Sequence, residues 1–274
     1  MSRTHLRRAV AVAAACSGTL ALSGCAVIGG QSTAQAVGSD EHLSSSYQLV
    51  QPGTLTVCSD IPYPPFEFEQ DGEITGYDIE LVEAIAEKLE LQVNVIDSSF
   101  EAIESGASLT GCDLNASSIS ITDERQRIMA FTSPYLDDDL VLIARKDEGF
   151  TAVSDLGDAR VGVQAATTGD AYAREQGLNV VQYEDGGMQV QALQAGNVDA
   201  VLGNQSVLLY SLKDDDRFGI VEELPTGEQL GMAVGPEKAQ LLSAVDRAFQ
   251  QLRADGTVAE LQDKWFGHVQ EDYQ

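Results

Sequence analysis

From Leu55 onward the chain alternates short apolar runs with amphipathic stretches. Leu55 to Cys58 predicts a buried strand, and residues 78–89 place Ile79, Val82, Ile85, Ala86 and Leu89 on one helical face. Leu91, Val93 and Val95 then alternate as the next strand, and a helical patch over 102–108 leads into a strand from Cys112 to Ala116. Thr122 is placed to cap a helix whose first turn carries Asp123 and Glu124. After a strand over Leu140 to Arg145 the pattern starts afresh: strands at 161–164, 180–183 and 198–202 interleave with helices at 169–176, 188–195 and 205–212. Gly231 to Val234 reads as extended. Two helices close the chain, one with Leu241, Leu242, Val245, Ala248, Phe249 and Leu252 on one face, the other over 257–265.

Strand, helix, strand in repetition means a mostly parallel sheet flanked by helices. Two such runs predict two α/β lobes linked by two extended crossings. Ligands of such sheets sit beyond the carboxyl ends of the strands, and bending at the crossings can close a cleft between the lobes.

The first 24 residues read as a leader rather than as fold, because Arg3, Arg7 and Arg8 precede an apolar run from Ala9 to Leu22. Leu22, Ser23, Gly24 and Cys25 resemble the lipobox of bacterial lipoproteins, which implies that Cys25 is lipid-modified and tethers an exported, extracytoplasmic protein to the cell membrane. Residues 25–50 are rich in Ser, Gly, Gln and Ala and read as a flexible tether. No later stretch is long and apolar enough to span a bilayer.

The formal net charge is −27, and removing the three leader arginines makes it more negative still. Such a chain repels nucleic acid and anionic lipid. The clusters Asp137 to Asp139 and Asp214 to Asp216 read as solvated surface, with a field that helps attract a cationic ligand. Cys58 and Cys112 are the only cysteines of the body. They either bridge, since both lie at or beside strands expected to be neighbours, or stay as two buried thiols. Their spacing fits no zinc pattern, and neither a metal nor a cofactor is expected.

The candidate chemistry gathers at strand-to-helix junctions. Arg125 sits in one of them with Ser117, Ser118 and Ser120. A guanidinium fork there matches a carboxylate, unless Arg125 merely pairs with Asp123 or Glu124 on a solvated face. The first junction offers Asp60, Tyr63 and Phe66 in a proline-restricted loop, and Phe100 follows the next strand. Two rings from separate loops can sandwich a side chain, whereas Phe66 and Phe68 are read as core. From the second run come Gln164, Thr167 and Thr168 at a helix start, where hydroxyls favour an anion or simply cap, and Asn204 after the last strand. The histidines lie at 5, 42 and 268, away from the predicted cleft, and no nucleophile elbow or phosphate loop occurs.

Taken in order, Asp60 to Phe68, Gly76 to Leu81, Ser117 to Arg125, Phe131 to Tyr135, Val161 to Gly169, Val198 to Asn204 and the closing 255–257 and 264–267 resemble one family across 53–267. It is the family of solute-binding proteins that feed polar amino acids to ABC importers. The lysine/arginine/ornithine and histidine binders are most similar in the first-run residues. The resemblance implies a two-lobed type II periplasmic-binding-protein-like fold, with lobe 1 over 51–142 and 234–268, lobe 2 over 143–233, and a tail at 269–274. It implies that Arg125 holds a ligand α-carboxylate with help from Ser120 and Thr168. Tyr63 and Phe100 would flank the side chain, Asp60 would reach its polar end, and Ser118 would hold the α-amino group. A permease and its ATPase are the implied partners, and a monomer is expected.

Two positions depart from the family pattern. Asn204 stands where an aspartate usually neutralises the ligand ammonium, and Ala166 replaces a common glycine. Either the ammonium finds charge elsewhere, or the ligand is not a standard α-amino acid. A ligand-sensing receptor for a signalling partner, or a cleft dehydratase or lyase using Asp60, are the alternative functions on this fold.

Overall fold

The computed structural model describes residues 47–271, with side chains to 267. The expected leader, Cys25 and the tether up to residue 46 lie outside the described residues. In chain order the strands and helices of the first half are β1 (Thr54–Ser59), β2 (Phe68–Gln70), β3 (Glu73–Thr75), α1 (Tyr77–Lys88), β4 (Gln92–Asp97), α2 (Phe100–Glu104), β5 (Leu114–Asn115), β6 (Ala130–Phe131) and β7 (Leu136–Asp137). The rest are β8 (Leu140–Arg145), β9 (Arg160–Gln164), α3 (Thr168–Glu175), β10 (Asn179–Tyr183), α4 (Gly186–Ala195), β11 (Ala200–Asn204), α5 (Gln205–Leu212), β12 (Phe218–Leu224), β13 (Gln229–Leu230), β14 (Ala233–Val234), α6 (Ala239–Asp255) and α7 (Thr257–Glu271).

Two five-stranded sheets result, in the orders β4-β1-β5-β14-β6 and β10-β9-β11-β8-β12. In each, three strands linked through helices run parallel, as the sequence pattern predicts. One strand of each sheet, β8 or β14, is entered from a crossing and runs antiparallel to both its neighbours, so β12 and β6 at the edges run in the same direction as the parallel three. A short antiparallel ribbon of β7 with β13 forms the two crossings. Leu140 already pairs with Asn204 in the second sheet, and Ala233 pairs with Asn115 in the first. The changeovers therefore fall before the expected boundaries at 142 and 233.

Four local expectations are corrected. Thr122 starts no α-helix; its hydroxyl accepts from the Arg125 amide at 3.2 Å, and a single 3-10 turn over Arg125–Arg127 follows before the chain enters β6. The patch at 102–108 divides into α2 and a 3-10 turn at Ala107–Thr110, separated by Gly106 in a left-handed conformation (φ 75°). The strand at 112–116 shrinks to β5. Residues 47–50, read as tether, dock on the first lobe: Tyr47 and Leu49 pack against its core, and the Val50 amide donates to Asp113 at 2.9 Å. The edge strand β12 and the β2–β3 hairpin carried too little apolar patterning to be read.

The first core joins α1, α6 and α7 through Leu81, Ile85, Val245, Phe249, Trp265 and Phe266, with Phe66 and Tyr77 fully buried at its centre. Phe66 is core, as expected. The second sheet buries separate apolar clusters, one around Leu193, Val201 and Leu208, the other around Leu142, Val163 and Leu202.

Cys58 and Cys112 form a disulfide, with Cα atoms 5.8 Å apart and a sequence separation of 54. It ties β1 to the entry of β5 beneath the loop that carries the serines. Opening a cross-link of this span is expected to cost about 2–4 kcal/mol. Denaturant unfolding of Cys58→Ser/Cys112→Ser against the oxidised protein measures it, and an unchanged midpoint would contradict a stabilising role.

Candidate functional site

The first-lobe wall is built from loops pinned by buried acids. The Asp60 amide donates to Ser117 Oγ at 3.1 Å, and that hydroxyl donates to Glu67 Oε1 at 2.5 Å. The Ser118 amide donates to Asp78 Oδ2 at 2.7 Å, as does the Tyr135 hydroxyl at 2.8 Å. Ser118 is thereby held in the left-handed region, at φ 41°, and its buried hydroxyl has no partner among the described residues. Burial pushes Glu67 well above the usual carboxylate range, and the neighbouring Asp78 adds to the shift. Burial raises Asp78 as well, to about 7, and the Ser118 amide and Tyr135 hydroxyl that it accepts from oppose the shift.

Arg125 is nearly inaccessible (3% exposed). Its Nη1 donates to the Ser120 carbonyl at 3.0 Å and its Nη2 to the Ala166 carbonyl across the cleft at 3.1 Å. The guanidinium carbon stands 5.3 Å from the Phe100 ring centre. Its hydrogen bonds therefore do not go to Asp123 or Glu124. Burial lowers its pKa, and Glu104, Glu228 and Glu124 work against that. Two of its five donors are spent on these carbonyls, and the remainder can serve a carboxylate.

From the second lobe, Gln164 Nε2 donates to Asp60 Oδ2 at 2.6 Å, and Gln164 Oε1 is buried without a partner among the described residues. Thr167 caps α3, its hydroxyl accepting from the Asp170 amide at 3.2 Å. Thr168 turns the other way, and its hydroxyl donates to Glu228 Oε2 at 2.7 Å. Ser120 donates to the same oxygen at 2.6 Å. Glu228 lies between β12 and β13, and no sequence pattern singled it out.

Asn204 Nδ2 donates to the Asp138 carbonyl at 3.2 Å. The Asp138 carboxylate accepts from the Ser206 amide at 3.0 Å and the Ser206 hydroxyl at 2.6 Å. Asp138 is not solvated surface like the acids beside it. It is 4% exposed, because the crossing turns it inward onto the start of α5. Burial pushes it up to about 7, with Glu228 and Asp139 adding to the effect. Burial likewise raises Asp60 to about 7, opposed by the Gln164 bond and reinforced by Asp185 and Asp97.

Tyr63, buried in the first lobe, has the second lobe against its ring. A methyl group at Gly186 would fall 2.7 Å from Tyr63 Cε2. Gly186→Ala is therefore expected to obstruct closure of the lobes while leaving each lobe intact. Ligand affinity should fall by about 10-fold or more, with the ligand-free melting temperature nearly unchanged. Equal affinity in a calorimetric titration would contradict this.

The two lobes thus meet through Asp60 with Gln164, Arg125 with the Ala166 carbonyl, Ser120 with Thr168 through Glu228, and Tyr63 beside Gly186, while Thr167 is occupied as a cap, Ser118 is held by Asp78 and Asn204 by the Asp138 carbonyl. One buried guanidinium stands among several carboxylates and neutral acceptors. Such a cleft suits a small solute with one carboxylate and more than one cationic donor.

The sequence profile of the bacterial extracellular solute-binding proteins, family 3, matches residues 55–268. ABC transporter arginine-binding protein 1 of Escherichia coli is 31% identical over 212 residues, which are 74% of this chain and 87% of that protein. The L-cystine-binding protein of Escherichia coli is 29% identical, over 78% of this chain and 83% of its own length. A solved amino acid ABC transporter substrate-binding protein from Streptococcus pneumoniae, bound to L-arginine, superposes with a TM-score of 0.73 at 29% identity, covering 79% of this chain and 96% of that one.

Proposed function

Because the chain belongs to the bacterial extracellular solute-binding proteins of family 3, we propose that it captures a basic amino acid in the interlobe cleft and delivers it to an ABC permease and its ATPase. Arg125 carries this reading. It is buried at the lobe boundary with a carbonyl from each lobe on its guanidinium, so a carboxylate joining it bridges both lobes and favours the closed state. The opposite end of the cleft is acceptor-rich, with the Asp60 carboxylate and the unpartnered Gln164 Oε1, which supports a guanidinium or ammonium side chain there. Tyr63 and Phe100 line the path between the ends.

The function proposed is capture without chemistry. Asp60 is assigned to the ligand side chain, since its carboxylate is already engaged by Gln164. Cys25 is proposed to carry the lipid that anchors the protein on the outer side of the cell membrane, and the body is proposed to act as a monomer.

The test is a thermal-shift panel on refolded, ligand-free protein with arginine, lysine, histidine, glutamine, glutamate and cystine. Saturable stabilisation led by arginine or lysine is expected. Stabilisation by glutamate alone would contradict the cationic-ligand reading, and silence across the panel would contradict amino-acid capture.

A further inference from the structure

We infer that Asp138, on the crossing between the lobes, supplies the negative charge that receives the α-ammonium of the ligand. This rests on the amino-acid-binding reading of the cleft and names a charge-determining residue within it. Asp138 belongs to no ion pair among the described residues, although it is buried. Its two hydrogen bonds come from one residue, the amide and hydroxyl of Ser206, both neutral. A carboxylate has about four acceptor sites, so roughly half its capacity is unused.

The other cleft acid nearby is in a different position. Glu228 is among the charges that favour the ionised Arg125, whereas Asp138 is not. Glu228 Oε2 also takes both the Ser120 and the Thr168 hydroxyl protons. Glu228 is thus offset by Arg125 and its donors, and Asp138 is left as the uncompensated charge.

Asp138 lies on the crossing between two cleft residues: its amide donates to the Glu228 carbonyl at 3.0 Å, and its own carbonyl accepts from Asn204 Nδ2 at 3.2 Å. Burial chiefly raises the Tyr63 phenol, and the nearby carboxylates of Asp138, Glu67, Asp60 and Glu228 add to it. Asn204, held to the Asp138 backbone through its Nδ2, contributes no charge of its own. With the Ser120 and Thr168 protons committed to Glu228, those hydroxyls offer lone pairs to a donor rather than protons to an acceptor. The unpartnered Ser118 Oγ adds another buried group able to accept. A cationic donor entering here meets the Asp138 carboxylate, whose ionised form it favours, and several neutral acceptors. Asp138 could instead serve only as the anchor of α5 through Ser206, and the test separates the two roles.

Titration calorimetry compares L-arginine with 5-guanidinopentanoate, the same molecule lacking the α-amino group, on the wild type, Asp138→Asn, Glu228→Gln and the double variant Asp138→Asn/Asn204→Asp. Asparagine keeps an acceptor for the Ser206 amide, so the fold is retained. Asp138→Asn should weaken arginine by at least about 30-fold and the des-amino analogue by less than about 3-fold. The double variant should recover part of the arginine loss. Equal losses for both probes would reduce Asp138 to a structural anchor, and a selective loss in Glu228→Gln but not in Asp138→Asn would assign the charge to Glu228; either overturns the inference. If the wild type ignores arginine but binds another α-amino acid, that amino acid and its des-amino form are the probes. A wild type blind to all α-amino acids removes the amino-acid reading itself, and this inference with it.

Discussion

Arg125→Ala is expected to weaken L-arginine binding by at least about 100-fold, the largest single loss among the cleft residues. Removing one member of a buried, hydrogen-bonded charge pair typically costs about 2–5 kcal/mol, because the remaining charge is left without a partner in a site that excludes water. Here the loss includes the closure contact, since the Arg125 Nη2 bond to the Ala166 carbonyl also goes. Arg125→Lys should restore only part of the affinity, because an ammonium cannot hold the Ser120 carbonyl, the Ala166 carbonyl and a carboxylate in the geometry of the guanidinium fork. The ligand-free stability of Arg125→Ala should change much less than the affinity: the bonds lost are offset by no longer burying a cation. Calorimetry paired with denaturant unfolding separates the two quantities, and an affinity loss matched by a similar loss of stability would mean that Arg125 is structural.

The second large effect is in pH. Asp60 and Asp138 are both pushed up to about 7 by burial. A carboxyl raised on folding contributes stability that is complete below its unfolded value near 4 and lost as pH rises through about 7. Moving one carboxyl that far is worth on the order of 4 kcal/mol, or roughly 10 °C in melting temperature for a body of this size. The ligand-free protein should therefore melt progressively lower between about pH 4 and about pH 8, and Asp60→Asn or Asp138→Asn should each flatten part of the slope. Groups that face Asp60 across the cleft, Asp185 and Gln164, pull in opposite directions, as do Glu228 and Ser206 at Asp138.

A cationic ligand reverses the trend, since it binds the ionised carboxylates and is favoured by the same titration. Arginine affinity is expected to rise by about 10-fold or more from about pH 6 to about pH 8, while glutamine affinity rises less. A ligand-free melting temperature that is flat or rising over that range would contradict buried, raised carboxyls in the cleft.

Much of the architecture could be read from hydrophobic spacing. The face of Ile79, Val82, Ile85 and Ala86 packs as α1, and α5 runs over Gln205–Leu212 as the spacing predicts. What escaped was set by tertiary context. β12 is half-buried along most of its length with a register shift between Ile220 and Glu222, so it shows neither clean alternation nor a continuous apolar run. The helix expected after Thr122 lost to geometry, because Ala130 must pair with Val234 only a few residues later.

At the site, the residues of the βα junctions were legible because the position of a junction in such a fold fixes its side chains at the cleft. Glu228 and Asp138 were not, because both lie on the crossings. A run such as Asp137, Asp138, Asp139 looks solvated until the strand alternation of β7 into β8 turns its middle member inward.

The most direct test of the central claim is a calorimetric titration of the refolded, ligand-free protein with L-arginine near neutral pH. A single saturable site with a dissociation constant in the micromolar range, on the order of 8 kcal/mol of binding free energy, is predicted, and it should vanish in Arg125→Ala. Absence of heat at millimolar arginine, lysine and histidine, or binding that persists unchanged in Arg125→Ala, would contradict capture of a basic amino acid through this cleft.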